Sequence, residues 1–595
     1  MSGLLSVQAR LSALSQSAFS SLGFEPALGT VLPSVKDGAP FQCNGAMAAA
    51  GALKKQGEKA NPRDIAAKIV EALSQHEEFA ALEIAGPGFI NITPSDALIN
   101  ARVAQLSDDD RTGAQLADDL QTIVVDYGGA NVAKPMHVGH LRSAVIGESL
   151  KRILRFRGHT VIGDIHMGDW GLQMGHLITE LEDEQPDLPY FDADITSGYP
   201  SDSPVDMEDM ARLYPAASSK SKTDPARLER SRVATAELQA GRPGYRALLD
   251  HFITESIKAL KKGYGDLGVE FDLWKGEAAV DPLIPGMIDD LTAMGITEKD
   301  DGALIIRVDD VEPAKDMAPV MLRASSGAVL YHTTDLATLI DRKEQIDPNF
   351  ILYVVDQRQA LHFEQVFRAA IRAGWYKAEQ LYHAGFGTMN GKDGKPFTTR
   401  GGGVLKLEDL LSMMHDAASE RVRAAGMADK FGDDELEDIT QKVGIAALKF
   451  ADLQNQRMTN YIFDLERFTA FEGKTGPYLL YAAVRIKSIL RKADAAGLTS
   501  GVIDAAAPAE QKLVLMVDSF ETALAVSIDK FAPHILCDQV YKLAQAFSRF
   551  YSECPILADE TPDDVKASRL ALASLTLKQL ELCLDLLGME APERM

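Results

Sequence analysis

The sequence predicts a multidomain α/β protein, and three observations carry that prediction. Its 595 residues exceed the roughly 250–300 at which a single hydrophobic core stops growing. From residue 122, short apolar runs ("TIVVDY", "HTVIGDIHMG", "GAVLY", "ILYVV") alternate with helical stretches, the pattern of βαβ units around a mostly parallel sheet. After "GGGVLKLEDLL" the strands fade and the chain reads as helical to its end, broken near "AAGLTSGVIDAAAPAE".

The opening "MSGLLSVQARLSALSQSAFSSLGF" is Ser-rich and free of acids, as a transit peptide would be. It has a single Arg, however, and Leu4, Leu11 and Leu14 recur at helical spacing, so a docked first helix is expected. With the helical "NPRDIAAKIVEAL" and the strand-like "EIAGPGFINI" it makes an α+β unit, and the acidic "LSDDDRTGAQLADDLQ" reads as the linker out of it. Within the second unit, "ITSGYPSDSPVDMEDMARLYPAASSKSKTDP" is rich in Ser, Pro and Asp and is expected to be loop inside an insertion near 180–300. Sheet-forming sequence resumes by residue 303.

Hydrophobic residues at 46% and charged residues at 25% are ordinary for a globular chain and exclude long disorder or a membrane channel. No apolar run approaches the roughly 18 residues of a spanning helix. Cys43, Cys537, Cys554 and Cys583 form no C-x-x-C pair, which fits a reducing cytoplasm and gives no support to structural zinc. A net charge of −25 restricts any nucleic-acid contact to local basic patches.

The chemistry concentrates first in "KPMHVGHL", residues 134–141, where an apolar strand turns into a helix. On that helix Leu141, Ala144, Val145, Ile153 and Leu154 share one face, with Arg142, Lys151, Arg152 and Arg155 expected largely elsewhere. A helix N-terminus attracts phosphate through free N–H groups and its dipole. Gly139 lets a flat adenine approach, and His137 and His140 can both donate to phosphate oxygens, which suits ATP at the carboxyl end of a parallel strand. Taken alone, the H-x-G-H string is matched equally by two structural histidines or half a metal site.

A second element is the glycine-rich basic loop "NGKDGKPFTTRGGGVLKL", with Lys392, Lys395, Arg400 and Lys406. It is not a Walker loop, because Pro396 follows the Lys where Ser or Thr belongs; the "GKT" at Gly473 also fails, with Phe468 in the first-glycine position. A mobile cationic loop can still clamp a triphosphate and follow charge onto departing pyrophosphate. A solvated hairpin is the alternative.

Together these elements resemble the paired motifs of class I aminoacyl-tRNA synthetases. "ANVAKPMHVGHLRSAVIGESLKRIL", "GDWGLQMGHL", "GKDGKPFTTRGGGVLKLEDLL", "EGKTGPYLLYAAVRIKSILRK" and "LLGMEAPERM" are similar to the arginyl-tRNA synthetases, and the likeness runs from "FQCNGAM" to Met595. The resemblance implies an N-terminal additional tRNA-binding domain (1–112), a Rossmann-type catalytic domain (113–465) and a helical anticodon-binding domain (466–595). It implies that His137, Gly139 and His140 hold ATP and that Lys395 stabilises the triphosphate. The class's second loop lysine falls on Thr398, and Lys134 is the expected substitute.

Amino-acid choice has some support of its own. A guanidinium needs carboxylates placed for forked hydrogen bonds, and "YHTTD" sets Tyr331 and Asp335 four apart, on one face if a helix begins there. A favourable first-turn acid is the rival reading of Asp335. The resemblance assigns both to the arginine side chain, with Glu277 as a second acid, although Ala278 stands where the family usually has Ser. It assigns Asp126, Asn131 and Gln359 to the α-amino and carboxylate groups, although "GGAN" replaces the common Ser-Ser-Pro-Asn.

In "GPYLLYAAVRIKSILRK" the cations Arg485, Lys487, Arg491 and Lys492 lie beside Tyr478 and Tyr481, and "FSRFYSEC" adds Phe550 and Tyr551. Aromatics beside cations suit recognition of unpaired bases; a helical core with solvated arginines is the alternative. The resemblance makes Tyr481, Arg485, Tyr551 and Met595 candidates for anticodon contact, and Phe89 and Asn91 for the D-loop corner. It implies arginine activation by ATP with Mg2+, tRNA(Arg) bound from the first step, and a cytoplasmic enzyme expected to be a monomer. A nucleotidylyltransferase and a non-catalytic tRNA-binding relative are the rivals.

Overall fold

The computed structural model describes residues 5–34, 38–325, 327–395, 405–426 and 430–595. The first unit is an antiparallel sheet in the order β1 (Val31–Pro33), β2 (Phe41–Cys43), β4 (Phe89–Pro94), β3 (Phe79–Ala85). Helices Val7–Ser21, Gly45–Lys55 and Pro62–Leu73 complete a core that includes Leu11, Phe19, Ile65, Ile69, Ile90 and Ile92. The expected first helix is present, capped by Ser6, whose Oγ accepts the Ala9 N–H at 3.1 Å. Leu4 lies outside the described residues. The first helix is tied to the last third of the chain: Asp518 Oδ2 accepts the Val7 N–H at 2.7 Å, and Asp518 Oδ1 accepts from Arg102 Nε at 2.6 Å.

The second unit carries β5 (Thr122–Asp126), β6 (Thr160–Met167) and β7 (Leu273–Gly276). Three short antiparallel strands follow, β8 (Glu298–Asp300), β9 (Ala303–Ile306) and β10 (Val320–Arg323), and then β11 (Phe350–Tyr353) and β12 (Leu381–His383). The main sheet is parallel throughout, in the order β12-β11-β5-β6-β7. β5 lies between the strand that follows it and one that arrives more than 200 residues later, so a crevice opens at its carboxyl end. Beyond the sheet, β13 (Met389–Asn390) pairs with β14 (Tyr461–Ile462), and helices up to Asp563–Leu586 fill the remainder.

Three sequence expectations change here. Half of the Ser-, Pro- and Asp-rich segment is the helix Met207–Thr223, with Pro215 inside it. An Asp206–Asp209 capping box starts the helix, and burial of Met210, Leu213, Ala217 and Ser221 along one stripe outweighs the poor propensity. "GAVLY" is not a strand: Gly327, at φ +88°, closes a turn, and only Val329 bridges to Arg323. The helix Val138–Phe156 buries more than one face, including Arg142 and Lys151, because it is packed between the sheet and the C-terminal helices.

Candidate active site

His137 is the N-cap of the helix Val138–Phe156, and it builds that cap with His140. His137 Nδ1 accepts the Gly139 N–H at 3.0 Å, and His140 Nδ1 accepts the His137 N–H at 3.2 Å. The rings stack with centroids 3.9 Å apart. A ring nitrogen that accepts a hydrogen bond carries no proton, so each neutral imidazole keeps its proton on Nε2. Burial, with Lys134 nearby, holds His137 below the usual range; burial, then His137 and Lys134, bring His140 to about 3. The motif is therefore a pair of neutral N–H donors at a helix N-terminus. The stacked pair itself favours glycine at 139, since a Cβ there would stand 2.7 Å from His137 Cε1. The Lys134 ammonium rests 4.4 Å over the ring of Tyr214, on the insertion helix Met207–Thr223.

The basic loop is anchored to this cap on its exit side. The Val138 N–H donates to Leu405 O at 3.1 Å and the Leu407 N–H to Met136 O at 3.0 Å, so His137 and Lys406 face each other across an antiparallel bridge. On the entry side the chain turns at Gly394, φ +75°, with the Gly391 N–H on Lys395 O at 2.8 Å. Lys392 and Lys395 are exposed. Arg400 and Thr398 lie outside the described residues, and Lys406 Nζ is 3.2 Å from Glu408.

Asp126, at the carboxyl end of β5, lies in register with Asp164, within β6. The fully buried Arg342 bridges them, with Nη2 2.5 Å from Asp126 Oδ2 and 2.6 Å from Asp164 Oδ2, and its Nη1 donates to Tyr353 OH at 3.0 Å. One oxygen of Asp126 is thus committed to the core. The "GGAN" loop is pinned: the Gly128 N–H donates to Ser143 Oγ at 2.8 Å, the Val132 N–H to Gly168 O at 3.0 Å and the Ala133 N–H to Ser256 Oγ at 2.9 Å. Asn131 bridges to Gly168, where its Oδ1 occupies the place of a missing Cβ. Gln359 is exposed at the end of a 3-10 turn capped by Asp356.

A helix does begin at Tyr331, so Tyr331 and Asp335 fall one turn apart. Tyr331 is exposed, and its ring lies 4.8 Å from that of His362. Asp335 Oδ2 is 2.5 Å from His362 Nε2, a partner no sequence spacing indicated. Glu277 opens the short helix Glu277–Val280; burial, with Asp335 and Asp169 adding negative charge, pushes it up to about 7. Burial likewise lifts Asp169 to about 6, and its Oδ1 accepts the Ala278 N–H at 2.8 Å. That contact uses main chain, so it survives the absence of a serine at 278.

Arg142, one turn beyond His137, is the residue that motif reading missed. Its Nη1 donates to Gly387 O at 2.7 Å and Thr459 O at 3.1 Å, and its Nε pairs with Asp452 Oδ2 at 3.0 Å. It ties the helix to segments beside both β13 and β14. An arginine flanked by buried aliphatic positions was the only signal.

On β4, Phe89 and Asn91 point away from the face that buries Ile90 and Ile92, and Asn91 Oδ1 accepts from Gln42 Nε2 at 2.8 Å. On the helix Gly476–Ala495, Tyr481 is exposed, and the Arg485 guanidinium lies 4.3 Å over the ring of Tyr551. Met595 is half-buried. Two neighbours differ from expectation. Lys487 is buried against Glu581 and Glu593, at 2.8 and 2.6 Å, and Phe550 is fully buried in the core. Arg491 remains exposed but donates to Glu593 O at 2.9 Å.

Comparison with known proteins agrees along the whole chain. Residues 102–465 match the family described as tRNA synthetases class I (R), catalytic domain; residues 479–595 match the DALR anticodon binding domain; and residues 6–93 match the arginyl tRNA synthetase N terminal domain. The sequence is 59% identical over 592 residues to the arginine–tRNA ligase of Maricaulis maris, covering 99% of this chain and 100% of that one. It is 55% identical over 595 residues to that of Hyphomonas neptunium, covering 100% of both. The fold is similar to crystallised arginyl-tRNA synthetase of Plasmodium falciparum (TM-score 0.82, 23% identity, 100% of both chains) and to that of Thermus thermophilus (TM-score 0.77, 21% identity, 99% of both). The chain belongs to the arginyl-tRNA synthetase family, within the class I aminoacyl-tRNA synthetases.

Proposed function

We propose that this member of the arginine–tRNA ligases activates L-arginine with ATP at the start of the helix Val138–Phe156 and passes the arginyl group to the 3′ end of tRNA(Arg). The reading rests on the paired imidazoles, whose Nε2–H donors stand at a helix N-terminus clasped to the exit of the basic loop. His137 and His140 donate to the phosphates, Gly139 borders the adenine, and Lys395 and Lys134 follow charge onto pyrophosphate. Magnesium enters on the ATP phosphates as part of that substrate. Tyr331, Asp335 and Glu277 hold the guanidinium, and Asp126, Asn131 and Gln359 hold the α-amino and carboxylate groups.

A carboxylate oxygen of arginine forms a bond to the α-phosphorus, and the bond to the bridging oxygen breaks as pyrophosphate leaves with the electron pair. A ribose hydroxyl at the tRNA end then attacks the acyl carbon; AMP leaves with the pair, and the hydroxyl proton is released. No side-chain nucleophile takes part, so alignment and charge neutralisation carry the rate. Phe89 and Asn91 are assigned to the outer corner of the tRNA, and Tyr481, Arg485, Tyr551 and Met595 to the anticodon loop.

We assign the enzyme to the cytoplasm, in keeping with four free cysteines, and take it to act as a monomer. No helix among the described residues is long and apolar enough to cross a membrane. Pyrophosphate exchange measured with and without arginine and with and without tRNA(Arg) tests the function. Exchange that needs both supports it, exchange that ignores arginine points to nucleotidylyl transfer, and no exchange points to a binding protein.

A further inference from the structure

The contact between His362 and Asp335 joins two helices, Ala360–Arg372 and Tyr331–Gln345, at the edge of the proposed arginine pocket. Its geometry defines the proton. A separation of 2.5 Å between Nε2 and Oδ2 requires a hydrogen between them, because two facing lone pairs would repel. His362 Nδ1 is buried without a hydrogen-bond partner. The ring donates to Asp335 through Nε2. The ring is also packed among three others: its centroid lies 4.8 Å from Tyr331, 4.7 Å from His332 and 5.2 Å from Phe363.

We infer that His362 is a positioning residue of the arginine pocket: by engaging Asp335 Oδ2 it locks the carboxylate in one rotamer and leaves Oδ1 as the acceptor for the guanidinium. The same ring backs Tyr331, so one histidine orients both residues assigned to the arginine side chain. The inference rests on the assignment of Asp335 to the guanidinium.

The full-length enzyme with tRNA(Arg) is assayed by pyrophosphate exchange, varying arginine and ATP separately, for His362→Ala, His362→Asn, His362→Gln and Asp335→Asn. Loss of alignment raises KM for arginine on the order of tenfold to a hundredfold. That rise is expected in His362→Ala and His362→Asn with KM for ATP unchanged. Glutamine places an amide N–H where Nε2 stood, so His362→Gln is expected to recover most of the affinity, whereas asparagine places it near Nδ1 and does not. An unchanged arginine KM in His362→Ala, a parallel rise for ATP, or a glutamine variant no better than asparagine overturns the inference. If Asp335→Asn leaves arginine KM unchanged, the pocket assignment itself fails; if it raises KM while His362→Ala does not, only the role of His362 fails. The glutamine–asparagine contrast decides the matter even where the alanine variant does not fold.

Discussion

Arg142 and Asp452 form an ion pair with 2% and 0% of their side chains exposed, and through it the helix that starts at His137 is fastened to the helix Asp433–Leu453. Removing Arg142 leaves the buried Asp452 carboxylate without a cation, held by the Tyr461 hydroxyl at 2.9 Å, at a cost of about 3–5 kcal/mol. Arg142→Ala is expected to lose that much in denaturant unfolding and to slow exchange, since the carbonyls of Gly387 and Thr459 lose their common donor. The paired change Arg142→Met with Asp452→Leu separates the two effects: stability should return while exchange stays slow. Recovery of both would reduce Arg142 to a structural residue.

The reciprocal cap divides the roles of the His140 ring. Asn at 140 can accept the His137 N–H but offers nothing at the Nε2 position, so His140→Asn should keep its stability and lose about 10²–10³ in kcat, the usual cost of one preorganised donor. His140→Ala should lose the rate and also roughly 0.5–2 kcal/mol of capping. An asparagine variant with near-normal kcat would count against the Nε2 donor.

Lys134, held over Tyr214, is the proposed substitute for the missing second loop lysine. Tyr214→Phe preserves the aromatic face and should leave KM for ATP unchanged, whereas Lys134→Ala should depress arginine activation. If Lys134→Ala activates arginine normally, its assignment is withdrawn.

Glu277 gives the exchange reaction a pH dependence of definite sign. With its carboxyl raised to about 7, the site is half protonated near neutrality, and a neutral acid cannot pair with a guanidinium. The kcat/KM for arginine should therefore rise with pH through about 7 and fall toward tenfold per unit below it. Any stability linked to the raised carboxyl is present below its ordinary value and lost as pH rises through about 7, and bound arginine should oppose that loss. Glu277→Gln should flatten the profile, and a wild-type profile already flat between pH 6 and 8 would rule out a titrating Glu277.

On the C-terminal helices, Tyr481→Ala should raise KM for tRNA(Arg), because stacking on one base is worth about 1–3 kcal/mol. Lys487→Ala should instead lower thermal stability, since its ammonium is spent on Glu581 and Glu593. An unchanged KM for tRNA in Tyr481→Ala would remove that tyrosine from the interface.

What could be read in advance follows from range. The strand–turn–helix at 122–156 is written in adjacent residues, so periodicity and turn chemistry sufficed there, whereas the helix start at Tyr331 stayed conditional behind a segment misread as strand. Arg142 could not be read, because its helix shows its composition but not what packs on its second face. His362 was hidden for the same reason: 27 residues separate it from Asp335, and only the packing of two helices brings them together. The helix Met207–Thr223 was obscured by Ser and Pro, whose local preference gave way to burial of a single stripe. Lys487 and Phe550, read beside Tyr481 and Tyr551 as part of a base-recognition surface, face inward.

The bond from the Val7 N–H to Asp518 has a consequence during synthesis. Its two ends are 511 residues apart, so at about 5–20 residues per second the leading helix waits roughly 25–100 s on the ribosome before its carboxylate exists. Until then the first unit is without the contact that joins its leading helix to the helix Pro508–Asp518.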